Sequence, residues 1–213
     1  VERSRGLGDV YKRQLLYIKD QKELEFLTFY SDCINFSRDL INSPANKLNP
    51  STYYSKIKNN NLFKNFNFID YTEKEINSNF PLTCAVGKSS SSKPKVIEIT
   101  NRKLSKKDKP LVIIGKGVTF DTGGVNIKPG TSMRNMKKDM GGSAIAISLF
   151  LLANYFLKKT KIVLIAPIAE NAISSKSMRP GDVYSSVSGK SVEIAHTDAE
   201  GRLLLADAIE KAS

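Results

Sequence analysis

The sequence contains no tryptophan, a single histidine and only two cysteines. Cys33 and Cys84 cannot build a disulfide framework or a thiolate zinc site, and they fit buried thiols of a reducing compartment. One histidine rules out a His-Glu-x-x-His zinc helix. It also leaves His196 as the only base for a Ser-His-Asp triad, and nothing resembling a nucleophile elbow accompanies it. Phosphate loops are missing too. Gly87-Lys88-Ser89 has Leu82, and Gly189-Lys190-Ser191 has Tyr184, where the leading glycine is needed. Gly115-x-Gly117 lacks its third glycine. No apolar run is expected to span a bilayer: residues 144–157 are interrupted by Ser148 and Asn154 and read as a core helix. No internal repeat is present.

Acidic residues are the minority, 21 against 33 lysines and arginines, for a net charge of +12. Such a field attracts nucleic acid or anionic membrane. The lysines are dispersed, however, with small clusters at 106–107, 137–138 and 158–159, as on a solvated surface. At 213 residues and 40% hydrophobic content the chain can bury one sizeable core.

Residues 1–14 have no apolar period and no initiator methionine, and no apolar stretch follows their basic residues as a signal peptide requires. They read as a non-native leader. From 22 to 41, Leu24, Leu27, Tyr30, Ile34 and Leu40 recur at helical spacing, and Pro44 ends the pattern. Ser51 is the expected cap of a short helix with Tyr53, Tyr54 and Ile57 inside. Phe66, Phe68 and Ile69 form a strand candidate, and Thr72 opens another short helix. Strands are expected at 82–86 and 96–100, joined by a hairpin turn at Ser89-Ser90-Ser91-Ser92. Further strands are expected at 111–114, 162–168 and 192–195, with a long buried helix at 142–157. Strands alternating with helices argue an α/β fold with a mixed, mostly parallel central sheet flanked by helices.

Chemistry concentrates in two stretches. The strand at 111–114 runs into Gly115-Lys116-Gly117-Val118-Thr119-Phe120-Asp121-Thr122-Gly123-Gly124, then Lys128-Pro129-Gly130 and Met136-Lys137-Lys138-Asp139-Met140-Gly141-Gly142. Lys116 and Asp121 thus fall at a strand's carboxyl end, where open α/β sheets build their sites. The second stretch is His196-Thr197-Asp198-Ala199-Glu200-Gly201-Arg202, followed by an apolar run. If extended, it would line Asp198, Glu200 and Arg202 on one face. Four acids, Asp121, Asp139, Asp198 and Glu200, would repel one another in a buried cluster unless cations neutralise them. Two divalent ions would do so. Asp207, in the following helix, reads as a structural partner or cap.

These stretches resemble the leucyl aminopeptidase family of two-metal exopeptidases: GKGVTFDTGG at 115–124, NIKPG at 126–130, MKKDMGG at 136–142 and TDAEGRLLLADA at 197–208. A weaker likeness extends back through 38–46. The resemblance implies a connecting helix at 15–43 and, at 44–213, the amino-terminal part of a catalytic domain incomplete at its carboxyl end. It implies two divalent ions, zinc or manganese, with magnesium an option at the exchangeable site. Lys116, Asp121, Asp139 and Glu200 would hold one ion, and Asp121, Asp198 and Glu200 the other. Lys128 would donate to the scissile carbonyl, Arg202 would hold a bicarbonate, and Met136 would line the substrate pocket. The implied activity removes the first residue, leucine-like by preference, from peptides with a free N-terminus. The implied form is a cytoplasmic homohexamer without a membrane partner. A DNA-binding role of the basic surface and an inactive fragment are the alternatives. His196 departs from the asparagine usual in the family and is expected outside the metal ligands, altering local hydrogen bonding.

Overall fold

A computed structural model describes residues 20–105 and 107–213. The leader expected at 1–14 lies outside the described residues. The fold has two units, one reaching Asp32 and one spanning Cys33–Ser213. In the first, Gln21 opens helix α1 (Gln21–Asn42), and the rings of Phe26 and Tyr30 lie a turn apart, tilted, with centroids 6.2 Å apart. In the second, the remainder of α1 buries Cys33, Phe36 and Leu40.

Helix α2 (Pro50–Lys58) follows. Asn49, not Ser51, is its cap. Thr52 N donates to Asn49 Oδ1 at 3.0 Å, while Asn49 N donates to Thr52 Oγ1 at 2.9 Å. This reciprocal box, with proline at the first helical position, sets the start two residues earlier than the serine indicated. Strand β1 (Asn67–Ile69) and helix α3 (Glu73–Asn79) come next, the latter opened by a Thr72–Glu75 capping box.

Residues 82–86, expected as a strand, belong to helix α4 (Pro81–Gly87). Pro81 fixes a helical φ at its first position, and its first turn borrows a cap from the far end of the chain. Asp207 Oδ2 accepts from Thr83 N at 2.7 Å and from Thr83 Oγ1 at 2.8 Å. The serine run therefore links a helix to a strand and makes no hairpin.

Strands β2 (Lys95–Thr100), β3 (Leu111–Ile114) and β4 (Gly117–Asp121) precede helices α5 (Gly130–Met133) and α6 (Gly141–Phe156). Strand β5 (Ile162–Asn171), the short hairpin β6 (Val183–Ser185) and β7 (Ser191–Glu193), and helix α7 (Gly201–Ala212) complete the chain. The glycine-rich motif at 117–121 is thus a strand and not a loop.

β5 is the axis of the sheet. β2 runs antiparallel along one side of it, with β1 antiparallel beyond. On the other side β3 lies parallel to its first half, and β4 parallel to its second half. The sheet is mixed, as expected, but parallel and antiparallel ladders are evenly represented among the described residues. β3 and β4 are nearly continuous, broken at Gly115-Lys116. A β-carbon at Gly115 would sit 2.5 Å from Ser143 Cα, so only glycine lets the start of α6 approach this break. The β4–β5 register shifts between Val118 and Asp121, a local irregularity of the kind that re-aims a side chain.

β7 belongs to its own two-stranded ribbon, so the strand expected at 192–195 leads to the second motif from outside the central sheet. α6 packs Ala144, Ile147 and Leu151 inward but exposes Ile145, Leu149 and Phe156 along one stripe, so it is half-buried. Residues Met136–Phe156 are, by length and composition alone, apolar enough to cross a membrane, which corrects the expectation that no run is long enough, while the reading of 144–157 as a core helix agrees with the buried face of α6. In the fold the segment is divided between a short 3-10 turn and α6, whose inner face covers the sheet.

Candidate metal centre

Five chain segments converge at the carboxyl end of β4. Lys116 lies at the β3–β4 break, Asp121 ends β4, and Lys128 precedes α5. Asp139 follows the 3-10 turn at Met136–Lys138, and Asp198 and Glu200 lie in and just after a second one at Thr197–Ala199. The second motif is therefore helical and not extended. Arg202 does not share a face with Asp198 and Glu200 in the alternating manner; it stands exposed in the first turn of α7.

The side chains form two linked groups. Lys116 Nζ lies 2.8 Å from Glu200 Oε1 and 2.8 Å from Asp139 Oδ2, the latter without a directed hydrogen bond. Lys128 Nζ lies 2.9 Å from Asp121 Oδ2 and pairs with Asp198 Oδ1. Asp121, Asp198 and Glu200 each offer an oxygen within 4.8 Å of the others. Asp139 joins this trio through Lys116.

Burial and charge work against each other here. Burial lowers the pKa of the Lys116 ammonium, but the Asp139 and Glu200 carboxylates beside it outweigh that and leave it above the ordinary lysine value. Lys128 is raised likewise, by Asp198 and Asp121 against desolvation. Glu200 is pushed up, chiefly by burial, with Lys116 opposing.

The residues fit divalent cations. Four carboxylates face two ammonium groups, leaving an excess of negative charge. Glu200 is 1% exposed, yet its Oε2 has no hydrogen-bond partner. An unpaired buried carboxylate oxygen is costly, and a hard cation relieves it.

Beside the acids is a hollow of about 490 Å³, lined by Asn126, Ile127, Lys128, Pro129, Ser132, Met136, His196 and Asp198. Met136 is therefore at the wall of the cavity. His196 caps the second 3-10 turn, its Nδ1 accepting from Asp198 N at 3.2 Å, and stands outside the acid trio.

Sequence spacing did not reveal what holds the two motifs together. Thr197 Oγ1 donates to Gly123 O at 2.5 Å and accepts from Asn126 N at 2.9 Å, while Thr197 N donates to Asn126 Oδ1 at 2.9 Å. Asn171, at the end of β5, bonds to both loops. Glu170-Asn171 closes an otherwise apolar strand, and nothing in that polar pair singles out the asparagine.

Residues 35–213 match the catalytic domain of the cytosol aminopeptidase family. The chain belongs to that family. A probable cytosol aminopeptidase of Corynebacterium glutamicum is 42% identical over 184 residues, covering 85% of this chain and 36% of the relative. One from Wolbachia pipientis wMel is 36% identical over 191 residues, 89% of this chain and 38% of the relative. The chain thus spans under two-fifths of the length of these relatives. The crystal structure of the cytosol aminopeptidase of Coxiella burnetii superposes with a TM-score of 0.80 at 37% identity, over 90% of this chain and 42% of that one. The bottromycin maturation enzyme BotP, solved in complex with Mn, gives a TM-score of 0.82 at 29% identity, over 93% and 43% of the two chains. The cluster of acids lies at the carboxyl end of β4, where open α/β sheets build their sites.

Proposed function

We propose that this chain carries the metal-binding half of an aminopeptidase that hydrolyses the first peptide bond of peptides with a free N-terminus, leucine-like residues preferred. The observation that supports it most is the acid trio with the unpartnered, buried Glu200 oxygen. Lys116, as a neutral amine, would hold one divalent ion with Asp121, Asp139 and Glu200. Asp121, Asp198 and Glu200 would hold the other. Zinc or manganese, with magnesium an option at one site, would supply Lewis acidity and water activation.

The remaining chemistry belongs to the chain. Lys128 reaches both Asp121 and Asp198, so its ammonium borders both the acids and the hollow. There it would donate to the scissile carbonyl oxygen as negative charge develops. Arg202, exposed and planar, would hold a bicarbonate in bidentate fashion and so keep a proton carrier beside the centre. Met136 would contact the first side chain of the peptide from the cavity wall. The relatives' names support a cytoplasmic location, and the family resemblance supports a homohexamer for the full-length form. Among the described residues, three surface lysines are paired locally, in Lys58–Asp70, Lys93–Glu73 and Lys161–Asp108, and the rest are dispersed as on a solvated surface.

Leucine p-nitroanilide hydrolysis tests the proposal. Activity is expected with manganese or zinc, should vanish with a chelator and return on adding metal, and should be absent in Asp121→Ala. Hydrolysis that survives both the chelator and Asp121→Ala would overturn it.

A further inference from the structure

Asn171 is 2% exposed and pairs with Asp121 across the β4–β5 ladder. Its Nδ2 donates to Asp121 Oδ1 at 2.8 Å and to Thr197 O at 3.1 Å. Both partners are acceptors only, so the carboxamide must present its NH2 to them and its orientation is chemically fixed. Gly123 N also donates to Asp121 Oδ1, at 2.8 Å. A carboxylate oxygen accepts about two strong hydrogen bonds, one per lone pair, so Oδ1 is saturated by the protein itself. Oδ2 is left facing Lys128 and the acid cluster.

We infer that Asn171 is a positioning residue of the metal centre: it decides which oxygen of Asp121 faces the cluster and, through Thr197, ties the turn that carries Asp198 to the same point. Any cation then meets Asp121 through Oδ2 alone. It thereby acts beside the Thr197–Gly123 and Thr197–Asn126 bonds in holding together the two motifs that supply the acids. This rests on the metal-centre reading above, and it assigns a task to a residue outside both motifs. Partners that orient metal-binding carboxylates matter nearly as much as the ligands, and their loss typically weakens metal affinity by about 10–100-fold.

The test is Mn2+ binding, read from the free-ion signal in electron paramagnetic resonance, and it does not require activity. Asn171→Ser, which is smaller and cannot reach both acceptors, should bind Mn2+ about 10–100-fold more weakly than the wild type. Val118→Ala, a buried truncation in the neighbouring strand, should lower the melting temperature and leave Mn2+ affinity unchanged. Equal affinity in Asn171→Ser and wild type overturns the inference, as does equal weakening in both variants. A wild type that takes up no Mn2+ overturns the metal-centre reading, and this inference with it. Should Asn171→Ser fail to fold, the wild-type Asn171 side-chain amide resonance decides: Zn2+ should shift it, and an unmoved resonance contradicts the assignment.

Discussion

Gly201 lies flat against the side chain of Lys116. A β-carbon at that position would be 2.5 Å from Lys116 Cε and 2.9 Å from Nζ. The first residue of α7 is thus bare because a lysine from the β3–β4 break crosses it to reach Glu200 and Asp139. Gly201 has no left-handed backbone, so alanine suits the helix and even favours it by about 1 kcal/mol over glycine. What must move is the lysine tip. Gly201→Ala is therefore expected to fold with little change in melting temperature while Mn2+ affinity drops by tenfold or more, on the order of other metal-orienting losses. Calorimetric titration beside thermal unfolding separates the two effects.

Asp207 performs a structural task midway along the same helix. It is 1% exposed and caps α4 through Thr83, and burial pushes its carboxyl above the ordinary aspartate value. Asp207→Ala leaves a buried N–H without an acceptor and should destabilise the fold by about 1–3 kcal/mol. Asp207→Asn keeps an acceptor and should lose less. Urea unfolding checks both. Mn2+ affinity in the folded fraction should be unchanged, which distinguishes this acid from the four at the metal centre.

A pH effect follows from Asp108. Lys161 donates to its Oδ2 at 2.5 Å, and Ser105 adds its backbone N–H and its hydroxyl. These bonds, Lys161 foremost, hold the carboxyl down to about 2. An unfolded aspartate titrates near 3.9, so the folded state binds its proton less readily. The stabilisation is fully present above about pH 4 and is lost as pH falls towards 2. Asp108→Asn should lower the urea midpoint at neutral pH, and the gap from wild type should close between pH 4 and 2. A gap that persists unchanged at pH 2 would contradict the assignment.

The fold class and the acid cluster were legible in the sequence, and individual elements were less so. Asp121, Asp139, Asp198 and Glu200 stood out as acids in glycine-flanked stretches, the roles of Lys116 and Lys128 came only through the family resemblance, and the fold brings all six side chains together. The long apolar run of β5 was legible for the same reason that it is central: both of its faces are covered. Residues 82–86 misled because a short apolar run has no clear period, and the cap that makes it a helix lies 124 positions away at Asp207. Glycines at 115 and 117 read as a loop, whereas close packing against α6 and β5 is what excludes side chains there. Asn171 was invisible because its partners are a backbone carbonyl and a carboxylate from two remote loops.

The most direct measurement is the number of divalent ions bound per chain. Equilibrium dialysis against Mn2+, with Glu200→Ala in parallel, addresses it without requiring catalysis. A paired centre requires two ions per wild-type chain and a marked loss of binding in Glu200→Ala, since that carboxylate would serve both. One ion or none in the wild type, or undiminished uptake by Glu200→Ala, would contradict it.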